Sequence, residues 1–270
     1  MNLAHDAHAL PGAHLDFARM PGHWLLARMG KRVLRPGGIE LTRRMLDALD
    51  IRSDDHVVEL APGLGATTRL TVERSASYTA VERDEAAAAC VRRMLRGPNR
   101  RCVDGSAQDT GLEAGSASVV YGEAMLTMQT SAQKAAIVRE ASRVLRPGGR
   151  YGIHELALTP DDLPDAIKEE IARDLQTSIR VGARPLTVGE WRRLLESAGL
   201  EIEAEAEAPM HLLEPRRLVQ DEGLLGALRI AANVAVNPAA RRRVVEMQSV
   251  FRKHVKHMCA VALVARKPRH

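Results

Sequence analysis

Aromatic residues make up only 3% of this 270-residue chain, so its core has to be built from Leu, Val, Ala and Met. That scarcity argues against a pocket formed as an aromatic cage around a quaternary ammonium group. It also removes the stacking platforms on which single-stranded nucleic acids lie. Cysteine is scarce too: Cys90, Cys102 and Cys259 are odd in number and show no C-x-x-C spacing. This argues against a disulfide frame and a thiolate zinc site, and fits packed thiols in a reducing, cytoplasmic setting. No apolar run reaches membrane-spanning length and the N-terminus shows no signal-peptide pattern, so no integral membrane association is expected. The chain has no internal repeat and no low-complexity tract.

A hydrophobic content of 45% is ample for a core, and the length suits one elaborated domain or two small ones. The net charge of +5 permits anionic partners without requiring them, and a solvated basic surface is the plainer reading. Four histidines, His5, His8, His14 and His23, fall among Pro11, Gly12, Pro21 and Gly22. With no carboxylate or cysteine at ligand spacing, they read as a tail and not as a metal site.

The most informative stretch is His56-Val57-Val58-Glu59-Leu60-Ala61-Pro62-Gly63-Leu64-Gly65-Ala66-Thr67-Thr68. It reads as a buried strand ending in an acid, a turn of small residues and a helix start. Gly63 and Gly65 let backbone approach a ligand where a Cβ would collide. The helix start offers free N–H groups to polar ligand atoms. A dinucleotide fold wants G-x-G-x-x-G, but Thr68 stands at the third glycine, so the phase is wrong. The pattern from Glu59 to Gly65 is instead acid-x-small-x-G-x-G. It resembles motif I of the class I S-adenosylmethionine-dependent methyltransferases, which usually have glycine where Ala61 sits.

The rest of the chain follows the same alternation. His23 to Leu34 and Ile39 to Leu49 read as helices separated by Arg35-Pro36-Gly37-Gly38. In the family resembled here such a segment lies over the cofactor as a lid; packing on the sheet edge is the alternative. Ser77 to Glu82 reads as a second strand, whose terminal carboxylate suits a ribose diol. Arg101 to Gln108 reads as a third strand and turn, with Ser106-Ala107 where the family often has Asp-Ala. Ala117 to Glu123 ends a fourth strand at Gly122-Glu123, and ligands of open parallel sheets bind beyond such strand ends. Helix Ser131 to Leu145, a break at Arg146-Pro147-Gly148-Gly149 and a fifth strand, Arg150 to Leu156, follow. At its end His154 is favoured over Glu155 to face the pocket, since neighbouring side chains point to opposite faces. Thr187-Val188-Gly189-Glu190 forms a capping box for the helix carrying Trp191. Leu200 to Ala206 alternates as a sixth strand, and Met258 to Lys267 is the last. Between them lies an apolar stretch with Leu212, Leu213, Leu224, Leu225 and Leu228 that runs into Arg241-Arg242-Arg243 and a basic helix.

These pieces, with the family they resemble, imply an α/β, Rossmann-like, doubly wound seven-stranded sheet; the resemblance makes its last strand antiparallel and adds an N-terminal helical lid and helical cap insertions. Residues 1–50 are expected as tail and lid, 51–156 as the S-adenosylmethionine-binding core, 157–185 as a helical insertion, 186–208 as core, 209–257 as a helical cap and 258–270 as the last strand. The resemblance, closest to ubiquinone/menaquinone-type enzymes, implies methyl transfer from S-adenosyl-L-methionine to a small apolar or aromatic metabolite, leaving S-adenosyl-L-homocysteine. It assigns Glu59, Ala61, Pro62, Gly63 and Gly65 to the methionine end, Glu82 with Arg83 to the ribose, and Ser106, Ala107 and Gln108 to adenine. Gly122 is expected against the cofactor, and Glu123 or His154 to position or deprotonate the acceptor. No metal and no nucleic-acid partner are expected, and a homodimer is left open. The alternatives are a catalytically silent S-adenosylmethionine-binding protein and a methyltransferase acting on nucleic acid or another macromolecule.

Overall fold

A computed structural model describes residues 11, 15–31, 35–210 and 215–269. His5, His8, Gly12, His14, Val33, Leu34, Leu212 and Leu213 lie outside the described residues. Helices α1 (Gly22–Met29) and α2 (Ile39–Leu49) precede strand β1 (His56–Leu60) and the short α3 (Thr68–Thr71). Then come β2 (Ser77–Glu82), α4 (Glu85–Arg92), β3 (Arg100–Asp104), β4 (Ala117–Glu123), α5 (Ser131–Val144) and β5 (Leu145–Leu158). The chain continues through α6 (Asp165–Ile179), β6 (Leu186–Thr187), α7 (Val188–Glu196), β7 (Glu201–Pro209), α8 (Pro215–Val236), α9 (Pro238–Lys253) and β8 (Met258–Arg266).

The sheet runs β3-β2-β1-β4-β5-β8-β7, with β6 paired to β5 off this path. The expected seven strands are therefore joined by an eighth of two residues. Strand β8 pairs antiparallel with β5 and with β7, while β1 to β5 are mutually parallel. The order reverses between β1 and β4, and such a switch point opens a crevice at the strands' carboxyl ends.

Helices cover both faces. On one, Ile137, Val138, Ala141 and Val144 of α5 and Trp191 and Leu195 of α7 meet the inward residues of β1, β4, β5 and β8. Trp191 keeps its indole N–H satisfied by the Leu156 carbonyl, 3.1 Å away. On the other, Leu41, Met45, Leu46 and Leu49 recur at helical spacing along α2 and are buried with Val72 and Val91. Each such side chain contributes about 1.5–3 kcal/mol by leaving water. The α2 contact is close: a Cβ on Gly152 would lie 2.8 Å from Leu49 Cδ1.

Boundaries differ from expectation where backbone pairing overrides local signals. The Arg146–Gly149 break does not separate helix from strand. It sits within β5 as an irregularity, where the pairing steps from Ala117–Leu145 to Val119–Arg150. Helix α1 ends early because Gly30 takes up a left-handed conformation at φ 108°.

Candidate active site

The carboxyl ends of β1, β2, β4 and β5, the turn after β3 and the helices α1, α6 and α9 enclose a cavity of ≈340 Å³. That is within the range of small-molecule sites. Ala61, Pro62, Gly63, Glu59, Glu82, Arg83, Ser106, Ala107, Gln108 and Glu123 all reach its wall. Gly65, Gly122 and His154 do not border it.

The turn after β1 is held by Ala61 N donating to the Val81 carbonyl at 2.9 Å and Gly65 N to Pro62 at 2.9 Å. Gly63 has φ 56° and an imagined Cβ there meets nothing within 4 Å. Its bare face is thus turned to open space that a ligand can fill. Gly65, at φ 72°, serves packing instead, since a Cβ would strike Met94 Sδ at 2.7 Å. Gly122 likewise packs against Met125 and Leu60. Ala61 adopts φ 52°, a conformation that costs an L-residue about 1–2 kcal/mol. The alanine keeps the shape a glycine would take freely.

At the end of β2 the Glu82 carboxylate accepts from the N–H groups of Gly63 (3.1 Å), Arg83 (2.9 Å) and Asp84 (3.0 Å). Burial raises its affinity for a proton, against these three donors. A carboxylate offers about four acceptor positions, so one remains for a ligand hydroxyl. Beyond β3, Ser106 Oγ accepts from Gln108 N at 3.2 Å and fixes that turn.

Two further carboxylates sit where β1 and β4 end. Glu59 accepts from Thr68 Oγ1 at 2.6 Å and from the Tyr78 hydroxyl. Burial pushes its carboxyl up to about 8, and the neighbouring Glu123 adds to the effect. Glu123 is bound on every side: by Arg35 Nε at 3.1 Å, Thr42 Oγ1 at 2.6 Å, His154 Nδ1 at 2.9 Å and the Thr67 hydroxyl. Burial alone would raise its pKa, but His154, Arg35 and Thr42 outweigh that and bring it down to about 2. A carboxylate so acidic and so fully engaged is a poor proton acceptor.

His154 departs from the expectation that it faces the pocket. It is fully buried, and its Nε2 lies 2.5 Å from the Pro36 carbonyl. Both ring nitrogens face acceptors, which leaves none for an acceptor's proton. The reason lies in the register: His154 stands directly opposite Glu123 on neighbouring strands, where paired side chains share a face. The stretch from Arg35 and helix α2 then closes over it. Glu155, on the opposite face, is the one that lines the cavity. Its carboxylate accepts from the N–H groups of Met125 (2.9 Å), Leu126 (2.7 Å) and Thr127 (3.1 Å) and from Thr127 Oγ1 (2.7 Å).

Sequence reasoning missed the polar residues that the N-terminal segment contributes. His23 of α1 lies on the wall with its Nδ1 buried and unpartnered. Burial lowers its pKa to about 4, so the imidazole is neutral at ordinary pH, and Asp84 opposes the shift. Lys31 also borders the cavity and makes a buried ion pair with Asp221 of α8 at 3.1 Å. No local pattern marks these residues, although Trp24, Leu25 and Leu26 beside them announce a packed helix.

Residues 58–153 match the family model of a methyltransferase domain. An uncharacterized protein of Haemophilus influenzae is 29% identical over 89% of this chain and 96% of its own length. A shorter match, 53% identical over 47 residues, covers 17% of the chain and 16% of the ribosomal RNA small subunit methyltransferase A of Corynebacterium efficiens. Among solved structures, the [4+2]-cyclase SpnF superposes with a TM-score of 0.71 at 17% identity, over 91% of this chain and 93% of that one. Geranyl diphosphate C-methyltransferase of Streptomyces coelicolor, solved with S-adenosyl-L-homocysteine, gives 0.60 at 16% identity over 83% and 76%. With the motif on β1, the carboxylate ending β2, the sheet order and the matched residues 58–153 in agreement, the chain contains a methyltransferase domain of the class I, S-adenosylmethionine-dependent kind.

Proposed function

We propose that the protein methylates a small lipophilic molecule held at the β5 end of the cavity. One observation carries this reading: Leu156, Leu175, Ile179, Met210, Met247 and Phe251 form an apolar wall there, drawn from β5, α6, the end of β7 and α9. The groups suited to the cofactor, Glu59, Glu82 and Ser106 to Gln108, lie at the carboxyl ends of β1, β2 and β3. There Glu59 and the glycine turn would hold the methionine part of S-adenosylmethionine, Glu82 and His23 the ribose, and Ser106 to Gln108 the adenine. The open face of Gly63 and the unpartnered His23 Nδ1 both fit such an occupant. When bound, the cofactor supplies a methyl group already activated by its sulfonium. The chain's task is to align the acceptor and exclude water. Glu123 and Glu155 each have their oxygens engaged by several donors, so neither is poised to deprotonate the acceptor. The reading therefore favours a centre that is nucleophilic by itself, such as a thiol, an amine or a stabilised carbanion. The geranyl diphosphate enzyme gives a precedent on this fold for a lipophilic substrate.

Incubation with labelled S-adenosylmethionine and separate lipid-extract and RNA pools tests this directly. Label is expected in the organic phase, and Leu175→Arg is expected to lower that transfer about a hundredfold by placing a charge in the apolar wall. Label in the RNA instead, or release of S-adenosylhomocysteine with neither pool, would remove the lipophilic-acceptor reading.

The Glu59 assignment carries its own pH signature. Burial keeps this carboxyl protonated up to about 8 when no ammonium faces it. A ligand ammonium needs the carboxylate, so binding is expected to release about one proton at neutral pH. Affinity should then rise up to about tenfold per unit from pH 6 to 8. The apo fold moves the other way. A group raised from 4.5 to about 8 on folding binds more protons when folded, so its contribution is full below 4.5 and is lost as pH rises through about 8. Calorimetry in two buffers of different ionisation enthalpy reads the released proton, and Glu59→Gln should abolish it. Equal heats in both buffers would remove Glu59 from the methionine site.

A further inference from the structure

Helix α8 is interrupted at Gly223, whose φ 74° and ψ 167° are not helical, and a second helical run begins at Leu224. Apart from Arg229 and Asn233, that run is apolar. Its inner face buries Ala227 and Ile230, with Ile230 packed among Met20, Leu25, Leu26 and Met29. Its outer face leaves Leu224, Leu225, Leu228 and Val236 at 63%, 83%, 58% and 80% exposure. At 3.6 residues per turn, these four and the exposed Arg229, Ala231, Ala232 and Ala235 occupy one arc of roughly 160°. A helix apolar all round is ordinarily buried, so this face calls for a covering partner.

The charges around the face say which. Residues 223–245 contain no aspartate or glutamate, while Arg229, Arg241 and Arg242 are all exposed. Arg243 is excluded from the surface because its guanidinium donates to the carbonyls of Phe17, Ala18, Met20 and Ser178. A second copy docked through this face about a two-fold axis would set the same arginines against each other. An anionic lipid surface instead accepts the leucines among its acyl chains and the arginines at its phosphates. We propose that the helix from Leu224 to Val236, with Arg241 and Arg242 of α9, is a docking surface for an anionic membrane. The run does not cross the bilayer: no described helix is long and apolar enough to do so. It lies along the interface. Beneath it, Leu26 and Met247 belong both to the cluster holding Ile230 and to the cavity wall. Given the lipophilic acceptor proposed above, the docked helix would set the apolar end of the cavity near a bilayer-dissolved substrate.

The test is sedimentation of the full chain with vesicles of phosphatidylcholine alone or mixed equally with phosphatidylglycerol. The protein is expected to pellet with the mixed vesicles and to stay in solution with phosphatidylcholine. Arg241→Gln/Arg242→Gln should weaken the partitioning about tenfold or more, and Leu225→Asp/Leu228→Asp should do likewise. Both double variants should keep the melting temperature and S-adenosylhomocysteine affinity of the parent, which separates lost docking from lost folding. Three results would overturn the proposal: no pelleting with anionic vesicles, pelleting indifferent to the leucine variant, or a dimer in light scattering that Leu225→Asp dissociates. RNA retained by the arginines without the leucines, in place of vesicle binding, would overturn it as well. Vesicle binding is read without turnover, so it stands or falls apart from the identity of the acceptor.

Discussion

Glu82→Ala should weaken S-adenosylhomocysteine binding by about a hundredfold or more. Two effects combine in that figure. A hydrogen bond from a ligand hydroxyl to a charged carboxylate is worth about 1.5–3 kcal/mol, or roughly ten- to a hundredfold. The same carboxylate also anchors Gly63 N, Arg83 N and Asp84 N, so its loss frees the glycine turn that faces the cavity. Glu82→Gln separates the two, because the amide keeps an acceptor oxygen and loses the charge. An intermediate loss of about tenfold is expected for it. Calorimetric titration of the parent and both variants makes the measurement. Parent-like affinity in Glu82→Ala would move the ribose away from β2.

The cavity wall at β1 and β2 is readable because its information is local. Glu59 to Gly65 is a contiguous run, and Glu82 is the last residue of a strand whose end is visible in the sequence. The alternation of strands and helices then places both at the carboxyl ends of neighbouring parallel strands. The functional order within the turn was less legible. Gly63 and Gly65 look equivalent in sequence, yet one faces the cavity and the other packs on Met94, in the turn after α4. The choice between His154 and Glu155 was a matter of phase. It is decided by which residue stands opposite Glu123, and strand register cannot be read from either strand alone.

What the sequence hid altogether was the long-range polar wiring. In the sequence Arg35 looks like part of a turn, Arg35-Pro36-Gly37-Gly38, that only separates two helices. Folding brings it to Glu123, 88 residues away, and to the Thr67 hydroxyl at 2.9 Å. His23 reaches the cavity wall in the same way, through the packing of α1 under α8 and α9. Hydrogen bonds of this kind follow from the tertiary packing of whole elements. No propensity or periodicity encodes them.

The Arg35 contact carries the second large expectation. Arg35 and Glu123 are both almost wholly buried, so the ion pair is little screened by solvent. Removing the cation alone leaves a carboxylate desolvated with only hydroxyls and an imidazole around it. Arg35→Met should therefore cost about 3–5 kcal/mol, which for a chain of this size lowers the melting temperature by about 10 °C. The sign with pH provides an internal control. Glu123 is depressed from 4.5 to about 2 in the fold, so its contribution is fully present above 4.5 and is lost as pH falls toward 2. Without Arg35 the burial of Glu123 is less opposed and its pKa climbs. The carboxyl can then take up a proton, and the penalty should shrink between pH 7 and pH 5. Glu123→Gln placed in the Arg35→Met background should recover part of the loss, because the uncompensated charge is gone. Urea denaturation of the four proteins at both pH values reads all three effects. A variant as stable as the parent at pH 7 would mean that Thr42, Thr67 and His154 hold Glu123 unaided. The arginine would then be present for a bound ligand and not for the fold.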